Sequence, residues 1–572
     1  MRSDLIDKKK CLFERMQREK KHLDAQSKSH HPNYDETTQV LIVGGGIVGL
    51  STSLFLSWRG ISSLLVERHP GTAIHPRIPA LAQPTMEMFR SVGIEEAIHE
   101  VEAPLNMSGN LLLVESLVGQ EFDVLQEDVD AFFISDSSPA QGSQVAQDLL
   151  EPVLQARADQ LGGDLRFGTE LVAFEQDEDG ITATIRERES GRIRTVRARF
   201  LVAADGSHSG VRQQLGVKQH GKSLWSAVSM IFEADLMEIF RKRHAVMCFI
   251  ANDTVSNAAL VPYPGSSTRP DLYRLDVPYD PEEESPADYP EARCLSLIGA
   301  AVGIPDLLVR LKTVLTYEAC ELVADRFQQG RVFLVGDAAR TQPPSGGLGG
   351  ATGIAEAYNL TWKLAAVLRG EAGEALLATY DAERRPQADY TAEQVALLSQ
   401  QRQTEGSAGI TVDTYSLVMG YRYCTGAIVR EVGDEHLPLV KHPDQWRGQP
   451  GTHAAHLVLE RDGKPISTRD LFGPNFVLLI GPQGQQWKAA ASHARNALHL
   501  PLDSYQIGGE AADLIDAGNT FCEAYGITSG GAVLVRPDGF IAWRCRVAEE
   551  NEQEVEQALT QTLSMLLCRL SS

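Results

Sequence analysis

From Thr38 onward, apolar and polar residues follow the order of a buried strand, a tight turn, a helix and a second strand. Val40 to Val43 is an unbroken apolar run, as expected of a parallel strand covered on both faces. A glycine cluster ends it, a helix-forming stretch follows, and Leu64 to Val66 forms the next strand, ending in Glu67. Strand-like segments recur at Phe200 to Ala204 and at Arg331 to Val335. From about 216 to 317 the chain alternates apolar and polar in short runs, with turn-rich breaks such as Pro262-Tyr263-Pro264-Gly265. A long helical stretch runs from Gly353 to about Leu398, and a Pro/Gly/His-rich passage, His442 to His456, leads into a last segment. The pattern predicts an α/β protein. A doubly wound module comprises 38–215 and 318–400, an antiparallel sheet of 216–317 is inserted into it, 401–450 is a helical linker, and 451–572 is a separate domain. Residues 1–37 carry only a thin apolar stripe (Leu5, Ile6, Leu12, Phe13, Met16), so a frayed helix or disordered lead is expected there.

Length and charge narrow the function classes. A chain of 572 residues exceeds one hydrophobic core and implies two to four domains. A net charge of -23 disfavours nucleic acid and anionic membrane surfaces, which would repel it. The eight cysteines are scattered without a CxxC pair or a His/Cys cluster of metal-ligand spacing, so reduced thiols and no metal are expected. Lys8 to Lys21 is densely charged where a secretory leader needs an apolar core, and no window holds the about 18 apolar residues of a membrane span. A cytoplasmic protein is the expectation.

Chemistry enters with Gly44, Gly46 and Gly49, which form GxGxxG between strand and helix. The first glycine permits the tight turn, the second lets a pyrophosphate approach the backbone, and the third lets the helix lie against the strand. The helix N-terminus then offers free N–H groups and a positive dipole end to phosphate. Glu67, at the end of the second strand, is placed to accept a ribose hydroxyl. A dinucleotide site follows, though the motif alone does not separate FAD from NAD.

The segment GRVFLVGDAARTQPPSGGLGGATGIAEAYNL separates them. Asp337 follows a buried strand and is placed to hold a polyol hydroxyl. Pro343 and Pro344 make a stiff wall, and Gly346, Gly347, Gly349 and Gly350 let a flat ring approach the backbone. These motifs resemble the class A flavoprotein aromatic hydroxylases, the para-hydroxybenzoate hydroxylase superfamily. Within it the chain looks most like the polyketide group of aklavinone, tetracenomycin and angucycline hydroxylases. The resemblance runs by motif from about Thr38 to Arg385.

It implies a glutathione-reductase-type, Rossmann-like FAD module in which Gly44, Gly46 and Gly49 bind the pyrophosphate and Glu67 the adenosine ribose. Arg77, in HPRIPALAQPTMEMFRSVG, matches an arginine beside the cofactor, and Gln147, in QDLLEPVL, a flavin or ribityl contact. Asp205, in LVAADGSHSGVR, matches an acid serving FAD and transient NAD(P)H, and Asp337 the acid on the ribityl chain. The sequence departs from the family at Arg340 (commonly histidine), Ala351 (asparagine), Glu356 (aspartate) and Tyr358 (histidine), which removes a polar contact near the ring.

By the same resemblance, NADPH or NADH reduces bound FAD, O2 adds to give a flavin C4a-hydroperoxide, and an electron-rich phenolic ring takes up one oxygen. Only one full GxGxxG exists, so a nicotinamide that visits without its own domain is expected. Met247, Phe249 and Tyr263 of the inserted sheet are candidates to face a small, flat aromatic substrate. The C-terminal segment resembles a thioredoxin-like domain without CxxC, structural or available for homo-oligomer contact. A flavin halogenase would carry W-x-W-x-I-P, and no tryptophan here has another two positions away. Baeyer–Villiger oxidation, drug-inactivating oxidation and ligand sequestration without turnover remain alternatives on the same scaffold.

Overall fold

The computed structural model describes residues 34–73, 80–102, 109–126, 135–263, 272–403, 412–509, 512–547 and 551–569. Arg77 and the N-terminal lead up to residue 33 lie outside them. Two eight-stranded sheets and a four-stranded sheet organise the rest.

The first sheet has a parallel centre in the order Val332–Leu334, Ile193–Ala203, Glu36–Val43, Ser63–Glu67, Asp164–Phe167. Val40, Leu41 and Ile42 are fully buried because the helix Ile47–Trp58 and the helix Leu348–Leu368 pack together on the strands. The register aligns Val43 with Ala203 and Val66, and Leu334 with Ala203. Four strands therefore end at one carboxyl edge, where an open parallel sheet leaves its crevice.

The second sheet is built mainly of long antiparallel strands, Gln219–Glu233, Ala245–Ala251, Ser256–Pro262, Leu272–Tyr279 and Arg310–Ala324. The strands Asn110–Val114 and Glu121–Gln126 extend it beyond Ala245–Ala251. One face carries Val228, Met230, Leu275, Cys248 and Leu260, buried beneath the helix Glu291–Val302. Pairing then fixes the opposite face. Met247, Val261, Arg274, Ile231 and Thr313 form one row, and Phe249, Ala259, Asp276, Ser229 and Leu315 the next.

The helical stretch expected from Gly353 to about Leu398 is two helices. Leu348–Leu368 starts earlier, after Gly347 at φ 68°, and Thr379–Gln403 follows a break at Gly370, φ 74°. Glycine in the left-handed region ends a helix at little cost, which the apolar pattern alone does not register.

The C-terminal segment has a four-stranded sheet in the order Leu502–Gln506, Phe476–Ile480, Ala532–Val535, Ile541–Cys545. The first pair is parallel and the others antiparallel, and the helices Gln486–Leu498 and Glu552–Leu566 pack together on it. No helix among the described residues is long and apolar enough to cross a membrane.

Candidate active site

The glycine turn sits where strand Glu36–Val43 meets helix Ile47–Trp58. Gly44 has φ 106°, and a Cβ there would come within 2.2 Å of the Ala204 carbonyl oxygen. A Cβ on Gly49 would lie 1.9 Å from the Gly44 carbonyl oxygen. Both glycines are thus required by chain-to-chain contact. Gly46 differs: a Cβ there meets nothing nearer than the Glu151 carboxylate at 3.8 Å. The fold leaves the backbone of Gly46 uncovered, as an approaching phosphate requires.

The Glu67 carboxylate closes the turn from the next strand. One oxygen accepts the Gly45 N–H at 2.7 Å and the other the His69 N–H at 2.8 Å. Across the edge, one oxygen of Asp205 accepts the Val211 N–H at 3.1 Å, while the other is buried without a partner. A buried carboxylate oxygen that bonds nothing is costly, and a ligand hydroxyl would satisfy it. Asp337 lies exposed in the short 3-10 turn Gly336–Ala338 that follows the Val332–Leu334 strand. Beyond it Gly346 and Gly347 take φ 87° and 68°, and Cβ atoms on Gly347 and Gly349 would meet nothing within 4 Å. The exposed Pro344 turns the chain, its carbonyl accepting the Gly347 N–H at 3.0 Å, and Gly349 and Gly350 enter the first turn of Leu348–Leu368. That helix has no side-chain cap. Its second turn packs at Gly353 against Val48 and Gly336, next to the glycine turn, and an uncapped helix start leaves N–H groups for a ligand.

Gln147 opens helix Gln147–Gln160 and is nearly buried, its amide donating to Glu151 at 2.6 Å. Glu151 is fully buried beside Gly46 and also accepts the Ala73 N–H at 2.6 Å. Burial raises its pKa, against the hydrogen bonds from Ala73 and Gln147. Sequence reasoning named Gln147 and passed over Glu151, although the carboxylate stands in the same QDLLEPVL segment.

Arg340 and Glu356, two of the departures from the family pattern, are one feature. Both are fully buried, and the arginine Nε donates to the Glu356 carboxylate at 2.8 Å. The other Glu356 oxygen accepts the Gly336 N–H at 2.7 Å, and Arg340 also donates to the Gly349 carbonyl at 3.1 Å. The pair ties the turn before Asp337 to the first turn of the helix.

The second sheet closes over this edge. Tyr263 is buried with Ile231 and Leu272 against Ala146, the residue before Gln147. Met247 and Phe249, half-buried, share the open face with Arg274 and Asp276. The Arg274 and Asp276 side chains approach to 3.2 Å, and the Tyr317 hydroxyl donates to Asp276 at 3.3 Å. Trp225 packs edge-on to Tyr317 at 5.6 Å and donates to Ser399 at 3.0 Å. These polar residues lie in alternating strands that read as ordinary sheet, and only register across the strands brings them together.

The residues fit a dinucleotide with a polyol and a flat ring: an open glycine turn, two carboxylates at strand ends, an orphaned carboxylate oxygen and an uncapped helix start. Known proteins agree. Residues 37–395 match the family model "FAD binding domain" and 447–565 match "Aromatic-ring hydroxylase, C-terminal". The chain is 41% identical to a 4-methyl-5-nitrocatechol 5-monooxygenase of Burkholderia sp, over 94% of this chain and 98% of that one. It is 36% identical to an aklavinone 12-hydroxylase of Streptomyces purpurascens, over 92% and 99%. Among solved structures, aklavinone-11 hydroxylase in complex with FAD and aklavinone superposes with a TM-score of 0.86 at 35% identity, over 94% of this chain and all of that one. On both family models and on relatives matched along nearly its whole length, the chain belongs to the FAD-dependent aromatic-ring hydroxylases.

Proposed function

We propose that this chain is a single-component FAD monooxygenase that consumes NADPH or NADH and hydroxylates a flat phenolic substrate. The observation that carries this reading is the meeting of the glycine turn, Asp205 and Asp337 at one carboxyl edge, beneath the open face of the second sheet. The names of the relatives, a nitrocatechol monooxygenase and an aklavinone hydroxylase, support a substrate of that class.

In this reading Gly44, Gly46 and Gly49 receive the FAD pyrophosphate, Glu67 the adenosine ribose and Asp337 the ribityl chain. The free oxygen of Asp205 takes a further hydroxyl, Gln147 and Arg77 flank the cofactor, and Pro344, Gly347, Gly349 and Gly350 border its ring. When bound, FAD supplies electron storage and oxygen activation. The balance is one aromatic C–H, one O2 and one NAD(P)H with a proton, giving C–OH, water and NAD(P)+. The chain's own part is to hold rings parallel and exclude water. Met247 and Phe249 form the apolar floor, Tyr263 seals the joint with the FAD module, and the Arg274–Asp276–Tyr317 group orients the phenolic hydroxyl.

Residues 38–215 with 318–400 carry the doubly wound FAD module and 216–317 most of the substrate sheet, which also draws in Asn110–Val114, Glu121–Gln126 and the end of Arg310–Ala324, while 451–572 forms a thioredoxin-like domain without CxxC. The test follows NADPH oxidation and oxygen uptake by FAD-loaded protein with a panel of polycyclic phenols, with mass spectrometry of products. A product heavier by one oxygen is expected. Flavin that resists NADPH and NADH with every aromatic ligand bound would end the monooxygenase reading.

A further inference from the structure

An aromatic-lined cavity lies away from the flavin edge. It holds about 310 Å³, within the range of small-molecule sites, and opens between the FAD module and the C-terminal segment. Trp58, on its wall, ends the helix that starts at the glycine turn and so stands about 16 Å along its axis from Ile47. Tyr358, also on the wall, is about 15 Å along its helix from Leu348. The cavity therefore does not belong to the pyrophosphate or ring site.

Its two sides are matched for a flat guest. Trp58, Met88 and Tyr358 come from the FAD module, and Tyr421, Tyr423 and Phe540 stand opposite in mutual ring contact. Aromatic walls of this kind favour a stacked or edge-on ring. The charged side chains on its walls are paired. Arg469 holds Glu87, Arg90 holds Asp470 at 2.8 Å, and Arg536 holds Asp538. None of these side chains is left to attract a net charge, so the walls suit an uncharged guest better than a carboxylate or nucleotide.

One polar group on the wall has no such partner. The imidazole of His453 lies against Phe540 at 5.0 Å between ring centroids and makes no side-chain hydrogen bond to any described residue. Burial, with Arg469 nearby, holds its pKa well below the ordinary histidine value, so it faces the cavity as a neutral ring. A neutral imidazole can accept from a hydroxyl or donate to a carbonyl.

We infer that this interdomain cavity is a second binding site, for an uncharged planar aromatic molecule whose hydroxyl or carbonyl group meets His453. The site does not rest on the monooxygenase reading, because none of its walls comes from the flavin edge or from the open face of the second sheet.

Equilibrium dialysis of 2-naphthol against the FAD-loaded full chain tests it, with naphthalene and 2-naphthoate as controls. A parallel titration of the visible flavin spectrum reports occupancy beside the flavin. Binding of 2-naphthol is expected at one site that leaves the flavin spectrum unchanged, with 2-naphthoate at least tenfold weaker there. Ser91 lines the cavity with its hydroxyl 3.1 Å from that of Tyr358, so Ser91→Phe should fill the space and abolish that site. His453→Phe, which keeps the ring contact, should reduce the preference for 2-naphthol over naphthalene at least fivefold. Retained FAD absorbance shows that both variants are folded. The inference is overturned if all bound 2-naphthol perturbs the flavin, or if the flavin-silent site survives Ser91→Phe unchanged. An unaltered naphthol preference in His453→Phe would remove the assigned role of the imidazole. Failure of the monooxygenase reading would show separately, as flavin that resists NADPH and NADH with every aromatic ligand bound while the silent site still binds 2-naphthol.

Discussion

Lys363 donates to Glu383 across 2.8 Å, and neither side chain has any contact with solvent. The lysine belongs to helix Leu348–Leu368 and the glutamate to Thr379–Gln403. Arg536, between the two C-terminal hairpin strands, grips the same glutamate through two bonds of 2.8 and 2.9 Å and also holds Asp538. Asn359 and Trp362 donate to Asp538 at 3.1 and 3.2 Å. Two cations and two anions thus join the helix that starts at the candidate flavin ring site to a segment more than 150 residues downstream.

Removing one charge from such a cluster leaves the others buried and unpaired. Glu383→Gln keeps the shape but strands Lys363 and Arg536 beside a single anion, and breaking a buried pair in this way costs about 3–5 kcal/mol. The urea midpoint should fall accordingly, with the largest loss of protection at the contact between the C-terminal segment and the helix. Hydrogen exchange of the Ile541–Cys545 strand would report it. An unchanged midpoint would mean that water reaches the cluster.

The glycines of the turn should separate into two kinds. Gly49→Ala drives a methyl group into the Gly44 carbonyl at 1.9 Å, so the apo protein itself is expected to lose at least about 1–3 kcal/mol. Gly46→Ala places its methyl group 3.8 Å from the nearest atom, the Glu151 carboxylate, and should leave apo stability within about 0.5 kcal/mol. It should nevertheless weaken FAD at least tenfold, because the added methyl group occupies the approach of the phosphate. Thermal unfolding of the apo forms and fluorescence titration with FAD measure the two effects independently.

These contrasts mark how far the sequence alone reaches. The strand–turn–helix opening is legible because its signals are local: an apolar run, glycines at fixed spacing and a terminal acid within 30 residues. The pairing of Arg340 with Glu356 is not, since it joins positions 16 apart across a turn whose geometry depends on Gly346 and Gly347 at φ 87° and 68°. Arg274 and Asp276 stay hidden for another reason. They read as the polar half of a strand, and only the register against Ser229 and Ile231 shows that these two polar residues sit beside largely buried neighbours on the face that looks toward the FAD module. The aromatic cavity needs 482 residues of separation to close, from Trp58 to Phe540.

Arg340 and Glu356 should act on the cofactor through the turn that carries Asp337. Glu356→Gln removes the charge that neutralises a fully buried guanidinium, while the amide keeps hydrogen-bonding atoms near Gly336. FAD affinity is expected to drop roughly tenfold, about 1.4 kcal/mol, with a smaller change in the glycine turn. The double change Arg340→His with Glu356→Asp, the pair common in the family, should recover most of the loss. Titration of apo protein with FAD decides it, and no recovery in the double variant would show the two sites to be independent.

The last prediction concerns acid. His456 bonds Ser467 at 2.8 Å, and burial, with Arg469 adding repulsion, pushes its pKa down to about 4 from the ordinary 6.5. His453 is pushed down well below the same value, first by burial and then by Arg469. In the unfolded chain both histidines bind protons near pH 6.5, whereas the folded chain refuses the His456 proton until about pH 4. The unfolded state therefore holds more protons across that window, so stability is full above 6.5 and is lost as pH falls toward 4. Each such group contributes a slope of at most about 1.4 kcal/mol per pH unit. Glu383, which burial raises but Arg536 and Lys363 hold down to about 2, adds its loss only at lower pH, below about 4.5. Urea midpoints measured from pH 7 to 4 should fall steeply in the wild type, and His456→Gln should flatten the fall by about one proton. If His456→Gln leaves the slope between 6.5 and 4 unchanged, the imidazole is protonated in the folded protein and the C-terminal segment is more open to water than its packing implies.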